Sequence, residues 1–245
     1  MRDDEETRDS FYHGRIRILQ RRKGFRFSVD APLLADFITA RHGEDGLELG
    51  TGSGVISLLL SLRPFRHVTA VEIQRPLAEL ARRNVILNSL EDRITVVCAD
   101  LRQFRPGRKF DFIFSNPPYH RRQGGHPSAS EEKTIAKHET KCDISDIMLA
   151  TSKLLKRRGS AFFIFPEKRR LELMAAARQN GLRLRSIRFV HPRPDRPASL
   201  FLSRWDFSAA EETRFPPLTL SDAEGMSTAE AEAIFAGRTH AAIDS

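Results

Sequence analysis

The segment Glu48-Leu49-Gly50-Thr51-Gly52-Ser53-Gly54 narrows the possible folds of this chain more than any other. Apolar Leu47–Leu49 leads into it, and Val55–Leu62 continues from it with a helical pattern. Three glycines at alternate positions let the backbone turn sharply and let a ligand approach it at a helix N-terminus. A strand, a glycine loop and a helix in that order open the ligand-binding edge of a parallel sheet.

The same alternation continues downstream. Val68–Ile73 predicts a strand and Pro76–Asn88 a helix, followed by strands at Ile94–Cys98 and Phe110–Ser115. Ile144–Lys156 predicts a helix and Ser160–Phe165 a strand. Glu167–Gln179 predicts a helix stopped by Asn180-Gly181, and Leu184–Val190 and Ser199–Trp205 predict the last two strands. Short, continuously apolar strands between helices imply a parallel sheet covered on both faces. Only His191–Ala198 joins the last two strands, so one of them must run antiparallel. The expected fold is α/β: a doubly wound, mostly parallel seven-stranded sheet, Rossmann-like, with an antiparallel terminal hairpin. Phe110, Phe112, Phe114, Phe162, Phe163 and Phe165 are expected in its core.

Ahead of the glycine loop, Arg15-Ile16-Arg17-Ile18 and Arg26-Phe27-Ser28-Val29 read as short strands around a turn at Arg22-Lys23-Gly24. Asp30, with Pro32 two residues on, reads as the N-cap of a helix. Residues 1–10 are charged and are expected to be frayed. The N-terminus has no apolar core of a signal peptide, and no apolar run approaches the roughly 20 residues of a membrane span. Two cysteines, Cys98 and Cys142, give no disulfide framework, which fits a reducing cytoplasm.

Charge is unevenly distributed. The 245 residues carry a net +8, but from Asp206 onward eight acids face two basic residues, so residues 1–205 hold +14. Between His13 and Arg26 lie six basic residues, Arg15, Arg17, Arg21, Arg22, Lys23 and Arg26, and no acid. Such a surplus points to a polyanionic partner, because each phosphate neutralised releases counterions. Arg21, Arg22 and Lys23 are the first candidates for nucleic-acid contacts.

The glycine spacing is G-x-G-x-G, not the G-x-G-x-x-G of dinucleotide sites, whose third glycine would fall at Val55. It resembles the S-adenosylmethionine loop of class I methyltransferases. Glu48 beside the loop suits a cationic ligand and would repel a pyrophosphate. Eighteen residues after Gly54, Glu72 ends the second strand, where a carboxylate can accept both ribose hydroxyls; the plainer reading is a strand-end acid beside Arg75. In Cys98-Ala99-Asp100-Leu101, the resemblance gives Asp100 the adenine amino group, with a solvated loop acid as the alternative. The expected cofactor site is Glu48, Gly50, Thr51, Gly52, Gly54, Glu72, Ile73, Asp100, Leu101 and Asn116.

The fourth strand ends in Asn116-Pro117-Pro118-Tyr119, where ligands bind in such sheets. Prolines donate no backbone hydrogen bond, so their carbonyls stay free as acceptors on a stiff frame. A planar amine is a poor nucleophile because its lone pair is delocalised. The Asn116 oxygen and the Pro117 carbonyl can accept its two N–H bonds and draw the nitrogen towards tetrahedral geometry, while Tyr119 offers a stacking face. Asn116, Pro117 and Tyr119 are the expected catalytic residues. Asn and Pro are also common turn-formers; the glycine loop and strand-end acids upstream are what turn this tetrapeptide into an amino-methyltransferase signature. Arg121 and Arg122 open a Gly- and Pro-containing loop that reads equally as substrate-facing or as plain surface. His138 and Cys142, four apart with no matching pair elsewhere, read as ordinary residues, and no metal is expected.

This tetrapeptide is shared by nucleic-acid adenine-N6, guanine-N2 rRNA and release-factor glutamine-N5 methyltransferases. The glutamine enzymes carry a helical domain ahead of the catalytic one, whereas here only 46 residues, with a basic, strand-like stretch between His13 and Arg26, precede the first strand. Gly24–Ala35, His191-Pro192 with Ala198-Ser199-Leu200, and Pro216-Pro217-Leu218 with Ala223-Glu224-Gly225 resemble the bacterial tRNA1(Val) adenine-N6-methyltransferase family over about residues 12–237. The resemblance implies S-adenosylmethionine as cofactor, an RNA substrate, and methylation of adenine 37 in tRNA. The chain is expected to divide into a basic N-terminal extension with short strands and a helix (1–45), a methyltransferase domain (46–207) and an acidic tail with a short helix (208–245). Guanine-N2 and glutamine-N5 methylation, and an RNA-binding module with a dead cofactor site, remain the alternatives. The intact glycines, Glu72 and Asn116 speak against a dead site. Sequence does not supply the oligomeric state.

Overall fold

Alternating strand and helix begins at β3 (Asp45–Leu49) and builds the sheet outward in both directions. The computed structural model describes residues 6–21, 29–117 and 143–238. After β3 come α2 (Val55–Leu60), β4 (His67–Glu72), α3 (Arg75–Leu87), β5 (Ile94–Cys98) and β6 (Phe110–Ser115). Then follow α4 (Ile144–Leu154), β7 (Leu155–Pro166), a 3-10 turn (Glu167–Arg169), α5 (Arg170–Gln179), β8 (Arg183–His191) and β9 (Leu200–Asp206). The strands lie in the order β5-β4-β3-β6-β7-β9-β8, parallel except β9, which is antiparallel to both β7 and β8. The chain therefore has the expected doubly wound sheet with its antiparallel terminal hairpin.

The sheet has nine strands rather than seven. Two-residue strands β10 (Thr213–Arg214) and β11 (Leu218–Thr219) add in parallel to the outer edge of β8. They are held by arginine side chains of β8: Arg185 donates to the Glu211 carbonyl at 2.7 Å and Arg188 to the Pro216 carbonyl at 3.0 Å. A final helix, α6 (Ala229–Phe235), packs back on α1 (Asp30–Phe37). Among the described residues, no helix is long and apolar enough to cross a membrane.

Two apolar layers sandwich the sheet. Phe112, Phe114, Phe162 and Ile164 face α1, α2 and α3, while Ile113, Ala161, Phe163 and Phe165 face α4 and α5. This is the period-two division expected of strands buried on both faces. All six phenylalanines expected in the core are buried there.

The N-terminal region differs from the sequence reading. Glu6–Phe11 is not frayed; it forms β1, paired antiparallel with β2 (Ile16–Arg21) across a turn whose Tyr12, His13 and Gly14 all have positive φ. The expected turn at 22–24 and the strand over 26–28 lie outside the described residues. Val29, expected in that strand, instead caps α1. Asp30 is inside the first turn rather than at the N-cap, because Val29 is already in the right-handed helical region. At the other end of the domain, the helix expected to reach Lys156 gives way at Leu155, where β7 pairs with Phe110.

Candidate active site

Parallel register gathers the functional residues on one edge. Leu49 lies opposite Val71, Glu72 opposite Cys98, and Glu48 opposite Phe114, so Gly50, Glu72, Asp100 and Asn116 lie at or just past the ends of four adjacent strands. The edge is tied together there. The Ser115 hydroxyl donates to the Leu49 carbonyl at 2.5 Å, and the Ala99 amide to the Glu72 carbonyl at 3.0 Å.

All three loop glycines have positive φ: Gly50 at 75°, Gly52 at 58° and Gly54 at 86°. At Gly54 space is short as well, since a Cβ would sit 3.3 Å from that of Ala81 on α3. Four of the loop amides are spent within the protein. Gly50 and Thr51 donate to the Val71 carbonyl, Gly54 to the Thr51 carbonyl, and Gly52 to Glu72 Oε2 at 2.9 Å. A pyrophosphate needs such amides bare, so this loop is not a dinucleotide cradle.

Beneath the loop, Glu48 is fully buried. Its Oε2 accepts from the hydroxyls of Thr51 at 2.6 Å and Ser57 at 2.5 Å. Burial pushes its carboxyl up to about 7 against the opposing pull of those two hydroxyls, and the charge of Glu72 adds to the rise. A cation above the loop would favour its ionised form. Glu72 is almost as buried, and each of its oxygens accepts one backbone amide, Gly52 on Oε2 and Gln74 on Oε1. A carboxylate oxygen has two acceptor positions, so each keeps one for a ribose hydroxyl. This donor and acceptor set fits S-adenosylmethionine.

Asp100 is differently engaged. Arg102 donates to it from its backbone amide and from its guanidinium, binding both carboxylate oxygens. Those bonds hold its carboxyl below the ordinary value. An adenine amino group would have to compete with Arg102 for it. Ile73 and Leu101, beside these acids, are half-buried. Asn116 follows β6 half-buried and Pro117 is buried. Tyr119, Arg121, Arg122, Arg22 and Lys23 lie outside the described residues, as do His138 and Cys142. Arg21 is exposed at the end of β2.

Three contributors escape sequence reasoning. Ser57 and Ser115 carry no motif. Asn84, fully buried on α3, donates from Nδ2 to the Ser53 carbonyl at 2.9 Å and grips Leu19 of β2 at both backbone groups. Only the third dimension brings Leu19, Ser53 and Asn84 together.

Comparison with known proteins agrees with this geometry. The family model of the methyltransferase small domain matches residues 26–164. A tRNA1(Val) (adenine(37)-N6)-methyltransferase of Phocaeicola vulgatus is 32% identical over 190 residues, covering 76% of this chain and 79% of the relative. The protein of the same description from Vibrio cholerae is 27% identical over 232 residues, 94% of this chain and 95% of the relative. Among solved structures, a predicted O-methyltransferase from Agrobacterium tumefaciens superposes with a TM-score of 0.67 at 22% identity, covering 85% of this chain and 96% of that one. M. jannaschii TYW2, in complex with AdoMet, superposes with a TM-score of 0.54 at 17% identity, covering 82% and 86%. These two likenesses speak to the fold.

Proposed function

The chain belongs to the methyltransferase small-domain family, and from that premise we propose that it methylates adenine N6 in tRNA, at position 37 of tRNA1(Val). Its cofactor is S-adenosylmethionine, which when bound supplies an electrophilic methyl group on a sulfonium. The observation that carries the reading is the edge where Glu48, the glycine loop, Glu72 and Asn116 meet, with every strand end in register. The relatives' shared description supplies the substrate.

The roles follow from the chemistry of each side chain. Glu72 receives the ribose hydroxyls, and Glu48 complements the cofactor's positive groups through the loop it braces. Asn116 and the Pro117 carbonyl accept the two N–H bonds of the target amine, so the nitrogen is held with its lone pair turned towards the methyl donor. The contact strengthens as positive charge grows on nitrogen, which is where preorganised acceptors act. Tyr119 stacks on the base, and Arg21, Arg22, Lys23, Arg121 and Arg122 meet phosphates. The proton leaves after transfer, when the nitrogen is acidic, and no strong base is needed.

Mass spectrometry of digested tRNA, rRNA and release factor after incubation with methyl-labelled cofactor tests the assignment. N6-methyladenine in tRNA is expected. N2-methylguanine in rRNA or methylglutamine alone would keep the chemistry and overturn the substrate.

A further inference from the structure

Each parallel crossover in the described sheet carries a helix except one. The connection from β5 to β6, residues 99–109, has none. The layer that α4 and α5 form over the sheet is therefore incomplete, and a groove of about 480 Å³ lies between this connection and α4. Its volume falls in the range of about 300–1,000 Å³ typical of clefts that bind small groups. The floor is apolar: Leu101, Phe104, Leu149 and Leu154 line it, and Leu149 is 43% exposed.

The rim is cationic. Five basic residues, Arg102, Arg105, Arg108, Lys109 and Lys153, line the groove with a single acid, Asp146. Asp146 is committed to the capping box of α4, where it accepts the Asp143 amide. Arg102 and Arg108 pair with Asp100 and Asp45. Arg105, Lys109 and Lys153 have no carboxylate within ion-pair distance among the described residues. The groove also has a direction. Arg102 lies two residues past Asp100, at the catalytic edge, while Lys109 directly precedes the start of β6 at the opposite edge. Since α4 runs antiparallel to the strands, its Asp146 end is at the catalytic edge and its Lys153 end is remote.

We propose that this groove holds a single-stranded stretch of the RNA substrate away from the target nucleotide. Phosphates meet Arg105, Lys109 and Lys153, and a base lies against Phe104 and Leu149. Cations beside a hydrophobic and aromatic floor are the arrangement that holds single strands without reading their sequence. An acidic peptide would use the rim and leave the floor idle. The proposal rests on the tRNA reading above and names a second contact surface for that substrate.

The test uses the full-length protein, a labelled unmodified tRNA and a binding measurement that needs no turnover. Lys109→Glu with Lys153→Glu should weaken tRNA binding by about tenfold or more and flatten the log–log salt dependence by about 2. Both side chains are exposed, so folding is not at stake. Arg178→Glu with Arg183→Glu changes the net charge equally at exposed positions of α5 and β8 that do not line the groove and should weaken binding far less than the groove pair, because exposed charges more than about 10 Å from the ligand are largely screened. Cofactor affinity should be unchanged in both pairs. Oligoadenylate should compete for the groove better than polyphosphate of equal charge, and Leu149→Ala should erase that preference. If the two charge pairs behave alike, or if polyphosphate or polyglutamate competes as well as oligoadenylate, the proposal is overturned. Failure of the tRNA reading would show separately, as absence of N6-methyladenine from tRNA incubated with wild-type protein.

Discussion

Asn84 donates a hydrogen bond to the carbonyl of Ser53 at 2.9 Å while its other contacts, at 2.7 and 3.0 Å, hold the N–H and C=O of Leu19. One buried carboxamide thus joins the glycine loop to the N-terminal hairpin. Asn88, one helical turn on, grips Arg17 in the same way, at 2.8 and 2.6 Å, and makes no hydrogen bond to the glycine loop among the described residues. The pair separates two effects. Asn84→Ala should cost about 2–3 kcal/mol of stability, from three lost bonds and buried groups left unpaired. It should also weaken cofactor binding. Asn88→Ala should cost about 1 kcal/mol and leave cofactor affinity unchanged. Denaturant titration and calorimetry on both variants read this directly; equal effects on the cofactor would mean that the hairpin, not the loop contact, carries the influence.

With Glu48 beneath the proposed cofactor site, cofactor binding is expected to depend on pH. Its folded carboxyl, near 7 against an ordinary 4.5, holds a proton that the unfolded chain gives up. Its stabilising contribution is therefore fully present below about pH 4.5 and is lost as pH rises through about 7, a change of order 3 kcal/mol for so buried a group. A cationic ligand reverses the preference, because it favours the carboxylate. Affinity for S-adenosylmethionine should rise between pH 6 and pH 8, and binding near pH 6.5 should release protons. Glu48→Gln should flatten both. Calorimetry in two buffers of different ionisation enthalpy measures the released proton, and a Gln variant that still releases it would assign the titration elsewhere.

How much of this was legible in the sequence depended on whether a residue's partner lay nearby in the chain. Ile94–Cys98 and Phe110–Ser115 match their expected bounds because short apolar runs have few other homes in an α/β sheet. The glycine loop was legible because positive φ at alternate positions leaves a visible residue pattern. Glu6–Phe11 was not. Its polar alternation shows no apolar face, and it is anchored by distant partners, Glu6 by Arg83 at 2.8 Å and Asp9 by Gln20 at 2.6 Å. Two-residue strands such as β10 and β11 are too short for any period to register. Asp100 shows the opposite hazard: a neighbour two residues away, Arg102, occupies a carboxylate that spacing alone would leave open for a ligand.

Glu72 serves the loop directly, since its Oε2 accepts the Gly52 amide, and in the proposed site it also receives the ribose hydroxyls. Glu72→Ala should weaken S-adenosylmethionine binding by about 1.5–3 kcal/mol, the range for hydrogen bonds to a charged group. Glu72→Gln keeps one acceptor oxygen and should recover part of that loss. The adenosine half of the cofactor probes the same contacts, so free adenosine affinity should fall in parallel. Unchanged calorimetric affinity in the Ala variant would remove Glu72 from the site.

Asn116 gives the sharpest division between binding and chemistry. It stands one residue beyond Ser115, whose hydroxyl is bonded at 2.5 Å to the strand that delivers the glycine loop, so its backbone is fixed relative to the cofactor side of the edge. An acceptor that meets the target amine gains most when the nitrogen turns tetrahedral and positively charged. Its loss therefore falls mainly on the transition state. Asn116→Ala should slow single-turnover methylation of tRNA by about 10²–10³-fold, as for one preorganised polar contact. Affinity for tRNA and for cofactor should change by less than about tenfold, because each has many other contacts. Asn116→Asp keeps an acceptor oxygen and should retain more activity than the Ala variant. Rapid-quench measurement with saturating cofactor separates the two quantities. A variant that binds tRNA poorly yet methylates at the wild-type rate once saturated would make Asn116 a docking residue and move the acceptor role to the Pro117 carbonyl.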